Sequence, residues 1–261
     1  MPVLLNDISD GVAVVTLNRP ERRNALSGEL LAALRSTMGD LADDESVSVV
    51  ILTGADPAFC AGLDLKELGS AGGGLLGNAT ESDAADVRQP STPWRPLGKP
   101  LIGAVNGVAV TGGFELALQC DFLIASDRAA FGDTHARVGL LPGWGLSVLL
   151  PQAIGVRRAK EMSLTGNFLS AEEALHFGLV NHVVPHDELL PFARRIAADI
   201  AGNDQAAVRA LRDEYDAVTR TTVDEGLRIE AERSRAWQRG GAGGDVEARR
   251  RAIIERGRTQ V

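Results

Sequence analysis

Two glycine-bearing segments constrain this chain more than any other feature. The first is Ala58-Phe59-Cys60-Ala61-Gly62-Leu63-Asp64-Leu65-Lys66-Glu67, which follows an apolar run ending at Thr53-Gly54. The second runs from Ala104 through Asn106-Gly107 and Thr111-Gly112-Gly113 to Glu115 and Asp121. Each places small residues where a strand hands over to the start of a helix. There the N–H groups of the first turn lack an intrahelical partner, the dipole adds partial positive charge, and a missing side chain admits a ligand. Two such N–H groups converging on one point would hold a developing oxyanion. Taken alone, a Gly-Gly pair is equally explained by tight packing of helix on strand. A dinucleotide turn is excluded because no GxGxxG follows the first strand.

The rest of the chain supplies an α/β frame. Val12 to Leu17 is β-branched and apolar and stops at Asn18-Arg19-Pro20, a turn signal. Ser27 is a suitable N-cap for a helix carrying Leu30, Leu31, Leu34, Met38 and Leu41 at helical spacing. Val47 to Leu52 reads as a second strand, so strand, helix and strand suggest a parallel crossover. Residues 69 to 96 change character, with Gly72-Gly73-Gly74 and three prolines, and read as an irregular substrate-side flap. Strands follow at Leu101 to Val105 and Asp121 to Ala125, with a helix at Phe114 to Gln119. After Pro142 the pattern is helical apart from a short strand at Leu179 to Val184. Helical periodicity covers Arg157 to Leu164, Ala171 to Phe177, Leu189 to Ala201, Ala206 to Val218 and Val223 to Arg239. We therefore divide the chain into a core, residues 1–195, and a helical C-terminal region, residues 196–261.

Composition narrows the functional class. A net charge of -8 argues against a nucleic-acid partner, whose binders carry basic surfaces. The two cysteines, Cys60 and Cys120, are too few for a disulfide framework and read as buried free thiols. No apolar run approaches a membrane span, and the N-terminal residues lack the pattern of a signal peptide. A cytoplasmic protein without membrane contact is the expectation.

The two segments, in this order, resemble those of the enoyl-CoA hydratase/isomerase (crotonase) superfamily. Asn18-Arg19-Pro20 with Asn24-Ala25-Leu26 is similar to that family's first strand exit. Phe131-Gly132 followed by Gly139-Leu140-Leu141-Pro142-Gly143, then Ala159-Lys160-Glu161-Met162 and Gly178-Leu179-Val180-Asn181, extend the likeness along most of the chain. The resemblance implies a spiral of ββα repeats followed by a helical trimerisation region, assembled as a homotrimer or a dimer of trimers. It implies an acyl-CoA substrate whose thioester oxygen receives the N–H groups of Leu63 and Gly112. Ala25, Ala61, Leu63, Asp64, Leu65 and Lys66 would lie along the coenzyme A, with Arg22 and Arg23 as phosphate candidates. Coenzyme A would enter as part of the substrate; no metal and no redox cofactor is implied.

In the hydratases of this family two glutamates hold the water that adds across the double bond. The resemblance makes Glu115 the first, three residues and so about one helical turn past Gly112. A carboxylate in a mostly apolar site has a raised pKa, which suits proton exchange near neutrality. The second glutamate's position is occupied by His135, within Asp133-Thr134-His135. That departure leaves three readings. His135 is a working partner in a modified hydratase, or it marks another reaction on the same enolate such as double-bond isomerisation, or the chain binds acyl-CoA with little turnover. Trp144 either walls the acyl pocket or packs in the core. His182 and His186 have metal-pair spacing, but Pro185 between them breaks a helix, so with His176 they read as exposed loop histidines. Arg157, Arg158 and Lys160 read as a solvated helix face. The leading expectation is an enoyl-CoA hydratase using Glu115 and His135 as its acid/base pair.

Overall fold

The computed structural model describes residues 1–70 and 92–240, with 250, 254, 257 and 258 beyond them. Most of the expected flap at 69–96 lies outside the described residues. The described end of that segment is packed, since Trp94 is buried in the main core, as is Leu97 just beyond it.

The chain opens with a hairpin, β1 (Leu4–Ser9) and β2 (Val12–Leu17), paired antiparallel from Leu4 opposite Leu17 to Ser9 opposite Val12. Asp10-Gly11 turns it, with both residues at positive φ, the conformation that a two-residue hairpin of this hand demands. α1 (Gly28–Asp43) then crosses to β3 (Val49–Gly54), which pairs parallel with β2. Ser27 caps α1 by accepting the Leu30 N–H at 3.1 Å, and the five apolar residues read from the sequence are all buried.

From β3 onward the chain repeats a two-strand, one-helix turn. β3, β4 (Ala58–Cys60) and α2 (Leu65–Ser70) form the first turn. β5 (Leu101–Val105), β6 (Val108–Val110) and α3 (Gly112–Leu118) form the second. β7 (Phe122–Ser126), β8 (Ala130–Gly132) and α4 (His135–Val138) form the third. In each turn the first strand joins one sheet and the second strand joins another. α5 (Leu146–Ile154) and α6 (Val156–Thr165) follow, then β9 (Phe168–Ser170), α7 (Ala171–Phe177), β10 (His182–Val184) and α8 (Leu189–Ala201). Among the described residues the larger sheet has the order β1-β2-β3-β5-β7-β10 and the smaller β4-β6-β8-β9. This is a crotonase-type spiral of ββα turns.

The inner strands of the larger sheet, β2, β3, β5 and β7, are buried on both faces, which is why they read as unbroken apolar runs. Val12, Val14, Val49, Ile51, Ile102, Ala104 and Ile124 form one face, against which Leu189, Ala193 and Ala197 of α8 pack. Their alternates Ala13, Val15, Leu17, Val50, Leu52, Leu101, Val105, Leu123 and Ala125 belong to the main core with α1 and the smaller sheet. The period-2 alternation of side chains produces this sorting. A division at residue 195/196 runs through α8, whose Ala193 and Ala197 serve one cluster. The packing instead separates Met1–Val208 from Arg209–Val261. The boundary lies inside α9 (Gln205–Val218), and the second unit also contains α10 (Val223–Arg239). In α10, Thr222 caps the N-terminus and Arg228 pairs with Glu225 and Glu232 one turn to either side.

Candidate active site

The two glycine-bearing segments interlock. Gly62 has φ +88°, and a Cβ there would stand 2.1 Å from Thr111 Oγ1 and 2.9 Å from the Val110 carbonyl oxygen. A Cβ on Gly113 would stand 2.3 Å from the Cys60 carbonyl oxygen. The packing explanation for these two glycines is therefore correct. Gly112 differs: its nearest neighbours are side-chain ends, Leu26 Cδ1 at 3.3 Å, Trp144 at 3.6 Å and Leu63 Cγ at 3.9 Å from a hypothetical Cβ.

Thr111, just before α3, has φ 46° and ψ -116°, a conformation that a β-branched residue rarely adopts. Its N–H donates to the Gly132 carbonyl, and its own carbonyl accepts from the Glu115 N–H. That turn starts α3 abruptly and leaves the Gly112 N–H without a backbone partner among the described residues. The Leu63 N–H likewise has no backbone partner among the described residues, since the bridge to Leu26 uses the groups on either side of it. Leu26 N–H donates to the Gly62 carbonyl and Asp64 N–H donates to the Leu26 carbonyl, making a parallel bridge of Leu26 with Leu63.

The loop carrying Ala25 is fastened beside this junction by Asn24. Asn24 is fully buried at φ 55°; its amide donates to Ala55 O and Ala58 O, both at 2.7 Å, and its Oδ1 accepts Arg19 N–H at 2.9 Å. Ala61 N–H donates to the Arg23 carbonyl. Ala25, Ala61, Leu63 and Asp64 are thus brought together. The Asp64 carboxylate faces inward, to Arg19 at 3.1 Å and to the Lys66 N–H at 3.2 Å. Burial alone would push that carboxyl up, but the Arg19 guanidinium and the backbone N–H groups hold it below the ordinary range. Leu65 and Lys66 are exposed on the outer side, and so are Arg22 and Arg23. Asn24→Ala would remove the donor to the Ala55 and Ala58 carbonyls and the acceptor of the Arg19 N–H, and would put alanine in a left-handed conformation. The expected loss is about 3 kcal/mol, a fall in Tm of roughly 6–12 °C for a body of this size, measured by thermal unfolding.

Glu115 lies one turn into α3 and is 3% exposed. Its Oε1 accepts the Trp144 N–H at 2.7 Å, while Gln119, one turn further, donates to the Trp144 carbonyl at 2.6 Å. Glu115 and Gln119 therefore hold the backbone of one residue from both sides, through its N–H and its carbonyl, and the sequence reading missed this role of the Trp144 backbone. The Trp144 ring is part-buried against the main core and lies close to Gly112. The second carboxylate oxygen of Glu115 is 3.7 Å from His135 Nε2. Burial holds the Glu115 carboxyl above its ordinary value, against the opposing pull of the Trp144 N–H and the His135 charge.

His135 begins α4, directly after β8, and is 7% exposed. Its Nδ1 is 2.6 Å from Asp133 Oδ1, and its backbone N–H donates to that same oxygen at 3.1 Å. Of the two polar neighbours of His135, Asp133 is the one that engages it.

The remaining histidines divide. His176 and His182 are exposed and lie against Phe177 and Phe192. His186 is a correction to the sequence reading. It is half-buried, with Nε2 3.0 Å from Asp56 Oδ2 and Nδ1 3.1 Å from Ser126 Oγ. With both ring nitrogens engaged it forms no metal pair with His182. The pattern was invisible because Asp56 lies 130 residues away. Arg157, Arg158 and Lys160 are exposed, and Arg158 stacks on the Phe177 ring at 4.1 Å.

Fold and site together define a crotonase-type spiral with a carboxylate–imidazole pair buried close to the N–H groups of Gly112 and Leu63. The chain belongs to the enoyl-CoA hydratase/isomerase family, whose sequence model matches residues 7–239. It is 53% identical to an enoyl-CoA hydratase of Mycobacterium smegmatis of known crystal structure, with a TM-score of 0.75 over 92% of this chain and 100% of that one. The (E)-benzylidenesuccinyl-CoA hydratase of Thauera aromatica is 42% identical, over 81% of each chain. A monofunctional enoyl-CoA isomerase of M. smegmatis is 37% identical, with a TM-score of 0.71 over 87% of this chain and 98% of that one. No helix among the described residues is long and apolar enough to cross a membrane.

Proposed function

We propose that this enzyme hydrates a 2-enoyl-CoA to a 3-hydroxyacyl-CoA, a step of fatty-acid type metabolism, and that Glu115 and His135 handle the protons. The observation that carries this reading is the buried Glu115–His135 pair, 3.7 Å apart, close to the N–H of Gly112, which has no backbone partner among the described residues. Water attacks C3 while Glu115 accepts its proton. The π electrons pass through C2 to the thioester oxygen, where the Leu63 and Gly112 N–H groups hold the enolate. The protonated imidazole of His135 delivers a proton to C2, and Glu115 returns its proton to His135 to close the cycle. Ala25, Ala61 and the backbone of Asp64 would border the coenzyme A, with Leu65 and Lys66 on its exposed flank. The reaction needs no further cofactor or metal.

Isomerisation is the second reading. It is favoured by the arrangement in which Asp133 is turned to His135, so that Glu115 alone presents a carboxylate to the junction. In that case Glu115 would carry one proton between C2 and C4. A homotrimer or dimer of trimers fits the exposed Leu211, Tyr215 and Leu227 on α9 and α10, apolar surface that assembly would cover. A cytoplasmic, reducing setting fits the two free cysteines.

The test is hydration of crotonyl-CoA, followed as loss of enoyl-thioester absorbance, on wild type and His135→Glu side by side. Turnover by wild type is the expected result. An inactive wild type beside an active His135→Glu would keep the pocket and discard hydration as the native reaction.

A further inference from the structure

The Asp133 carboxylate is 1% exposed and sits in the two-residue link between β8 and α4. One oxygen, Oδ1, meets both the His135 backbone N–H at 3.1 Å and His135 Nδ1 at 2.6 Å. Two contacts from one residue to a single oxygen fix the χ angles of that residue as well as its ring plane. An ionised carboxylate only accepts hydrogen bonds, so the nitrogen facing it must carry the hydrogen. The ring's other nitrogen then faces Glu115 at 3.7 Å, too far for a direct bond. Although burial pushes the Asp133 carboxyl up, hydrogen bonds from His135 and Ser163 hold it below the ordinary range. It therefore stays ionised near neutrality and remains an obligate acceptor.

We propose that Asp133 is a positioning residue that fixes the Nδ1–H tautomer of His135 and so aims Nε2 at Glu115 and the reacting carbons. This rests on the reading of Glu115 and His135 as the acid/base pair. A neutral His135 in the other tautomer would present a hydrogen to Glu115 where a lone pair is required. The chain would then supply the geometry of its second proton carrier from a residue two positions upstream, where a glutamate at position 135 would need no such partner.

The experiment reads the tautomer directly. In protein carrying ¹⁵N-histidine, the His135 ring signals are assigned by their loss in His135→Gln, which is necessary because the chain has four histidines. Wild type should show a protonated Nδ1 and, in the neutral ring, a lone-pair-bearing Nε2. Asp133→Ala should mix the tautomers and lower kcat by about 10²-fold or more while KM stays within about twofold. Asp133→Asn, of the same size, guards against an alanine cavity that unfolds the chain. It should also lower kcat and displace the pH profile of kcat/KM. An Nε2–H tautomer in wild type, or Asp133 variants that keep wild-type kcat, would overturn the proposal. If wild type proves inactive towards crotonyl-CoA, the hydratase reading fails on its own, and the tautomer measurement still decides the role of Asp133.

Discussion

Glu115→Gln is expected to lower kcat for hydration by about three orders of magnitude and to leave KM within about twofold. Glutamine keeps the size of the side chain and can still accept the Trp144 N–H, so the hold on the Trp144 backbone survives. What disappears is a group able to take a proton from water. The same variant should be more stable than wild type at neutral pH, and the sign follows from linkage. Burial holds the Glu115 carboxyl above its ordinary value, so the folded chain binds that proton more tightly than the unfolded chain. The stability from this group is full below the unfolded pKa, about 4.3, and is lost as pH rises through the higher folded value. At pH 7 wild type carries that penalty and glutamine does not. The difference in Tm should shrink towards pH 4. Thermal unfolding at both pH values, with kinetics alongside, separates the possibilities. A variant with full activity would remove Glu115 from the chemistry. A variant much less stable than wild type at pH 7 would show that the carboxylate is there for structure.

Much of this was legible before any coordinates. The Ser27 cap, the five buried positions of α1, the parallel pairing of β2 with β3 and the full lengths of α7, α8 and α10 follow from periodicity and capping chemistry. The smaller sheet was not legible. Ala58–Cys60, Val108–Val110, Ala130–Gly132 and Phe168–Ser170 are three residues each, too short to display a period of two. β1 was missed although Asp10-Gly11 is a hairpin signal, because its residues are mostly exposed and show no apolar run. The site divided along the same line. Gly112, Glu115 and His135 stand in recognisable segments. The Trp144 peptide, the locking role of Asn24 and the His186–Asp56 pair join residues 25 to 130 positions apart, and no local pattern encodes them.

Gly113→Ala and Gly112→Ala, adjacent and chemically identical changes, should fail in opposite ways. At Gly113 the new methyl would meet the Cys60 carbonyl oxygen at 2.3 Å and carbonyl carbon at 2.8 Å. Those are backbone atoms of β4, held by pairing with β6, and they cannot swing aside. Relief requires separating α3 from β4, which costs about 3 kcal/mol or more, a Tm lower by roughly 6–12 °C. At Gly112 the methyl would meet the ends of Leu26, Trp144 and Leu63 at 3.3 Å or more, and alanine in a helix gains about 0.5–1 kcal/mol over glycine. That variant should fold with a Tm within about 2 °C of wild type. Its methyl, however, stands beside the N–H that would receive the thioester oxygen, so kcat/KM should fall about 10²-fold. Thermal unfolding and crotonyl-CoA kinetics on the pair resolve the matter. Wild-type stability in Gly113→Ala would contradict the interlock of the two segments. Undiminished kcat/KM in Gly112→Ala would mean that the enolate is held elsewhere, and that Gly112, like Gly62 and Gly113, is small only for packing.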